Sequence, residues 1–114
     1  MINKIWRVIK MARIDKNKAK DRLGNVPEDK VFWANDGKVL RNLKDIPAAL
    51  VDMSEETFKY HVNKDKNDFK NWISDVVGDE KLARSIARTR SKEMMLRKLD
   101  KRINKLESLT NLNK

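Results

Sequence analysis

Charge is segregated along this chain, and the segregation confines any sizeable core to the middle. Residues 1–26 carry eight Lys/Arg against two Asp/Glu, residues 27–79 eight against eleven, and residues 80–114 eleven against four. A mildly acidic body therefore bears a basic arm at each end, and the net charge is +10. Apolar and charged residues each make up 39%, where roughly 45–50% and a quarter are usual. That balance points to a small core with long solvated helices. Unmatched positive arms of this kind are suited to a polyanion, because each Lys or Arg brought to a phosphate releases condensed counterions.

Apolar spacing then assigns elements. Ile2, Ile5, Trp6, Ile9 and Ala12 share one arc of a helix over 2–12, with Lys4, Arg7 and Lys10 turned away. Residues 13–26 lose periodicity and read as a polar basic linker ending in the turn residues Gly24-Asn25-Val26-Pro27. A domain boundary is expected near Pro27. Val31–Asn35 and Lys38–Leu40 flank Asp36-Gly37, which predicts a β-hairpin with a tight turn. Four helical stretches follow. The first runs to Met53, capped by Asn42 or Asp45, with Pro47 tolerated in its first turn. Ser54 caps the second, through Val62, and Met53 and Phe58 have the spacing of a hydrophobic staple. Asn67 or Asp68 opens the third, whose Phe69, Trp72, Ile73 and Val76 lie at i, i+3, i+4, i+7 before Gly78 ends it. The fourth stretch, 80–109, starts at Asp79 and must break at Arg88-Thr89-Arg90-Ser91, because Leu82, Ala83 and Ile86 face one way and Met95, Leu96, Leu99, Ile103 and Leu106 another.

The expected fold class is therefore mainly α. A small helical domain with one β-hairpin spans 27–88, preceded by a basic N-terminal helix and linker (1–26) and followed by a long basic C-terminal helical extension (89–114). Trp33 and Trp72 are assigned to the core. The extension either projects or turns to meet another apolar surface.

No combination of residue types supports catalysis. His61 is the single histidine and cysteine is absent, so there is neither a partner to share a metal nor an activated nucleophile. His61 is expected to be structural, hydrogen-bonding the loop that follows it. Asp65, Asp68, Asp75, Asp79 and Glu80 match no EF-hand spacing, and Asp68 and Asp79 stand where helix capping explains them. No catalytic residue, cofactor site or metal site is assigned. No apolar run is long enough to span a bilayer, and Lys4, Arg7 and Lys10 interrupt the stretch a secretory signal would need. A cytoplasmic location is expected.

The basic arms carry the functional expectation. Arg84, Arg88, Arg90, Lys92, Arg97, Lys98, Lys101 and Arg102 supply the main phosphate contacts, and Arg7, Lys10, Arg13, Lys16, Lys18 and Lys20 a second grip. Acidic neighbours are too few to neutralise the C-terminal set within its own helix. No helix-turn-helix, zinc finger, RNA-recognition signature or Gly-rich phosphate loop is present, so backbone contact to RNA or DNA is expected rather than base reading. The alternative is an adaptor or assembly subunit that binds a protein partner or a second copy through Ile5, Trp6, Ile9, Leu96, Leu99, Ile103 and Leu106. A lone Trp-bearing helix without a lipidation signal does not anchor stably to a membrane.

The run Phe58-Lys59-Tyr60-His61-Val62-Asn63, then Asn67-Asp68-Phe69-Lys70-Asn71-Trp72-Ile73-Ser74-Asp75-Val76-Val77-Gly78-Asp79 and Leu82-Ala83, resembles a small uncharacterised domain of archaeal and some bacterial proteins. Asp36–Leu43 and the Met53-Ser54 junction are similar to it too, so the resemblance covers about 30–83. It implies a compact α-rich scaffold without catalytic residues, and neither basic arm belongs to it.

Overall fold

The computed structural model describes residues 16–111. The fold is mainly α, with one two-stranded antiparallel hairpin and a long C-terminal helix. Helix α1 covers 16–23, and a short 3-10 turn, Glu28–Lys30, leads into strands β1 (Phe32–Trp33) and β2 (Val39–Leu40). Helices α2 (Asp45–Asp52), α3 (Glu55–His61), α4 (Asp68–Trp72), α5 (Glu80–Ile86) and α6 (Lys92–Thr110) follow. The helix expected over 2–12 lies outside the described residues.

Polar side chains set the helix starts. Ser54, Asn67, Asp79 and Ser91 each accept a hydrogen bond from the backbone N–H three residues on, satisfying a donor that the helix itself cannot. Ahead of α2, whose N-cap Lys44 makes no side-chain cap, two side chains brace the preceding turn. Asn42 Oδ1 accepts from the Asp45 N–H at 3.0 Å, and Asp45 Oδ2 accepts from the Arg41 N–H at 2.8 Å. The expected break in the last helical stretch falls at 87–91, where Ser91 restarts the helix.

The core combines both periodicities. Phe32 from the hairpin stacks on Phe69 with ring centroids 4.8 Å apart and meets the edge of Trp72 at 5.8 Å. Trp72 Nε1 donates to the Lys30 carbonyl at 2.8 Å, which ties α4 to the strand entrance. Leu43, Ile46, Leu50, Met53, Phe58, Ile73, Leu82 and Ile86 complete the buried centre.

Four sequence expectations are corrected. Residues 16–23, read as part of an aperiodic linker, are helical, and Ala19 is fully buried while Leu23 and Val26 pack against the core. Ala19 and Leu23 seat this helix, but two apolar residues among lysines are too weak a signal to register as periodicity. Trp33, assigned to the core, is 68% exposed. It pairs with Val39 while Phe32 pairs with Leu40, so the strand's alternation sends Phe32 inward and Trp33 out. The hairpin is shorter than expected, and its loop has three residues. Ala34 N–H donates to the Lys38 carbonyl at 2.8 Å and Gly37 N–H to the Ala34 carbonyl at 2.9 Å, with Gly37 alone at positive φ. Finally, α4 passes into a π-helical turn, Ile73–Val77, whose wider winding carries Val77 into the core and leaves Val76 half-buried.

The C-terminal helix does not extend away from the body. Met95, Leu99, Ile103 and Leu106 are all buried, and α6 packs against α2 and α5. Burying four such side chains is worth on the order of 6–12 kcal/mol, so the stripe is satisfied within its own chain. The core thus draws on α1 and α6 as well as the middle, and neither Pro27 nor Arg88 divides it.

Candidate nucleic-acid interface

Where α6 lies against α5, their outer flanks form a groove of about 470 Å³. Lys81, Leu82 and Ser85 line it from α5, and Lys98, Lys101, Arg102 and Lys105 from α6. The spacing explains the wall. Positions 98, 101, 102 and 105 follow i, i+3, i+4, i+7 and share one side of α6, next to the stripe that faces the core. No carboxylate lines the groove.

The groove is held in shape by two of its own cations. Arg102 reaches under α5 to Asp79, with Nε donating to Oδ2 at 2.8 Å and an η nitrogen to Oδ1 at 2.9 Å. Asp79 is 2% exposed and also caps α5 through the Leu82 N–H. One buried carboxylate therefore joins the start of α5 to the middle of α6. Lys98 Nζ donates to the Ser85 carbonyl at 2.7 Å, occupying one of the acceptors left open near the end of α5. Lys81, Lys101 and Lys105 are exposed and make no ion pair among the described residues.

The residues expected to contact phosphate divide into distinct groups. Lys98, Lys101 and Arg102 meet at the groove, and Arg102 is already neutralised there by Asp79. Lys92 is also engaged elsewhere: its Nζ donates to the Met53 carbonyl at 2.5 Å and lies 3.7 Å from Glu55. Arg84 and Arg88 are exposed, and they continue the Lys81 row by steps of three and four. Arg97 is exposed on α6, and Arg90 lines a separate cleft. Lys18 and Lys20 are exposed on α1, and Lys16 is half-buried there. Arg7, Lys10 and Arg13 lie outside the described residues, as do Ile5, Trp6 and Ile9. Of the expected partner stripe, Leu99, Ile103 and Leu106 belong to the core, and Leu96 is half-buried against it. Sequence reasoning passed over Lys81. Its signal was position, three residues before Arg84 and opposite the inward Leu82 and Ile86.

His61 is buried, with partners on two sides. It is 3% exposed. Nε2 accepts from the Asn35 N–H at 2.9 Å, so the proton of the neutral ring lies on Nδ1, which faces Asp68 Oδ2 at 2.9 Å. The ring thus ties the hairpin loop, which precedes it, to the start of α4. Phe32 and Phe69 flank it at 5.1 and 5.5 Å. Among the described residues no group of three His, Asp or Glu side chains converges as a metal site, and no helix is long and apolar enough to cross a membrane.

Fold and site together define a small mainly helical domain carrying a lysine-walled groove. Compared with protein-family models, curated proteins and solved structures, the chain matches none.

Proposed function

We propose that this chain is a non-enzymatic nucleic-acid-binding protein that grips the phosphate backbone of structured RNA or duplex DNA in the α5–α6 groove. The observation that carries the reading is a wall of lysines from two helices with no carboxylate among the lining residues. Along α6, Lys98 to Lys105 is a rise of about 10 Å. A duplex strand presents a phosphate every 3.4 Å or so of axis, so the row faces on the order of three phosphates. Lys81, with Arg84 and Arg88 beyond it, flanks the same groove and widens the positive face. The occupied ring nitrogens of His61 favour a binding role over an acid–base one. The adaptor reading loses its C-terminal surface, because Leu99, Ile103 and Leu106 are covered by the chain's own core.

Fluorescence anisotropy on a DNA duplex and an RNA hairpin tests the proposal. Between about 50 and 200 mM salt the apparent affinity should fall steeply and log-linearly. The combined variant Lys81→Gln, Lys101→Gln, Lys105→Gln should lower that slope by about 2–3 units, near 0.9 per phosphate contact on duplex DNA. A wild-type slope close to zero, or an unchanged slope in the variant, overturns the reading.

A further inference from the structure

On the side of α6 away from the lysine wall, a groove of about 200 Å³ opens against α2. Leu50, Val51, Lys92, Glu93 and Leu96 line it. The two helices are tied at both ends of their contact. Lys92 Nζ donates to the Met53 carbonyl at one end, and Lys44 Nζ lies 3.5 Å from Glu107 at the other, so α2 and α6 run antiparallel. The floor between these ties is apolar and open to solvent. Val51 is 66% exposed, more than any other large aliphatic side chain among the described residues, and Leu96 is half-buried beside it.

The charge on this flank is opposite to that of the lysine wall. All three carboxylates of α6, Glu93, Asp100 and Glu107, recur at seven-residue steps, which keeps them on one side of the helix. Glu93 lines the groove and Glu107 meets Lys44, so the row follows the α2 flank along its length. Glu93, in the first turn, complements the helix start, but Asp100 stands mid-helix, where the dipole does not favour it. Both are exposed and make no ion pair among the described residues, although residues 80–114 hold eleven Lys/Arg. An apolar floor under an unpaired acidic rim is complementary to a helix with one apolar side and cations on the others.

The chain itself holds such a segment. Ile2, Ile5, Trp6 and Ile9 share one arc of the helix expected over 2–12, and Lys4, Arg7 and Lys10 lie on its other sides. That helix would be about 16 Å long, against about 21 Å from Glu93 to Glu107 along α6. Its attachment point suits the groove as well. Asn42 Nδ2 donates to Asn25 Oδ1 at 2.7 Å, and the Val26 N–H donates to the Arg41 carbonyl at 2.8 Å. These bonds pin the end of α1 beside the start of α2, where Lys44 meets Glu107. From there α1 is about 12 Å long and residues 13–15 span up to about 10 Å, so the preceding segment has the reach to enter the groove. We propose that residues 2–12 of the same molecule cover the α2–α6 groove. Ile5, Trp6 and Ile9 lie on the Leu50, Val51 and Leu96 floor, and the long stems of Lys4 and Lys10 carry their charges to Glu93 and Asp100 at the rim. The proposal does not rest on the nucleic-acid reading, because the two grooves share no lining residue.

The chain lacks cysteine, so Asn3→Cys gives a unique attachment point for a nitroxide spin label on the polar side of the segment. In amide NMR spectra of the full-length protein, the label should broaden the signals of Val51 and of residues 93–97 relative to the same sample with the nitroxide reduced. Dilution should leave the effect unchanged. Val51→Lys places a cation in the groove at a site exposed enough to tolerate it, and it should remove the broadening while the rest of the spectrum stays native. Urea unfolding supplies an independent measure. Trp6→Ala should lower the unfolding midpoint in the wild-type background and leave it unchanged in the Val51→Lys background, because the contact is already lost there. Spin-labelled protein mixed with isotope-labelled, unmodified protein tests for docking between molecules. Broadening at Val51 in that mixture assigns the groove to a second copy and overturns docking within one chain. Absence of broadening at Val51 in the spin-labelled protein, or equal Trp6→Ala shifts in both backgrounds, also overturns the proposal.

Discussion

Arg102 offers the sharpest test of how this fold is held together, because its charge belongs to a buried pair and not to the basic surface. Asp79 is 2% exposed, while the Arg102 side chain keeps 22% of its accessible surface. Removing the arginine leaves a carboxylate in the interior with the Leu82 N–H as its remaining donor, a situation that costs roughly 3–5 kcal/mol. Removing the carboxylate's charge is cheaper, since the guanidinium can turn its exposed flank to water and asparagine caps α5 as well as aspartate. We expect Arg102→Met to destabilise by about 3–5 kcal/mol and Asp79→Asn by about 1–2 kcal/mol. Adding Asp79→Asn to Arg102→Met should then recover about 2 kcal/mol, because no charge is left stranded. Urea unfolding with a constant denaturant slope measures all three. On heating, the arginine variant should melt roughly 12–25 °C lower, at about 4–5 °C per kcal/mol for a domain slightly above 100 residues. An Arg102→Met protein within about 1 kcal/mol of wild type, or a double variant no better than Arg102→Met, would show that the pair does not join α5 to α6.

The two tryptophans of the described residues should separate cleanly. Trp72→Ala should cost about 3–5 kcal/mol through cavity formation and the lost bond to the Lys30 carbonyl, whereas Trp33→Ala at its exposed position should stay within about 0.5 kcal/mol; equal unfolding midpoints would contradict the strand register. His61→Ala should cost about 2–4 kcal/mol, mostly by leaving a cavity beside the stacked Phe32 and Phe69 rings. Urea unfolding reads that loss, and a change below about 0.5 kcal/mol would refute the structural role of the ring.

Much of the fold was legible because local rules and packing agree. The caps at Ser54, Asn67 and Asp79, the break before Ser91, the turn at Gly37 and the stop at Gly78 are short-range decisions, made by residues that satisfy or release neighbouring backbone groups. What stayed hidden depends on distance or on geometry that a fixed period cannot carry. Val77 replaces Val76 in the core because a π turn resets the winding. The strand residues 32 and 33 can exchange faces with a one-residue shift in register, and nothing in Val31-Phe32-Trp33 alone states which aromatic points inward. At the site, the basic character of α5 and α6 was plain, but its division was not. That Arg102 and Lys92 are structural follows from Asp79, Met53 and Glu55, partners 23 to 39 residues away.

The packing of α6 bears directly on whether any positive surface survives. A basic helix folded onto an acidic body would be expected to lose its charge to the body's carboxylates. Here the apolar stripe holds the helix down, and three of the body's carboxylates are matched within the body itself. Lys38 pairs with Asp52, Arg41 with Glu28 and Lys66 with Asp68, all within the middle segment. Only Arg102 and Lys92 among the α6 cations reach a body carboxylate, while Arg97, Lys98, Lys101 and Lys105 make no ion pair among the described residues. Hydrophobic burial is only weakly sensitive to salt at these concentrations, so the stripe keeps α6 on the body while exposed charges are screened. The proposed phosphate binding should therefore weaken with added salt well before the fold does.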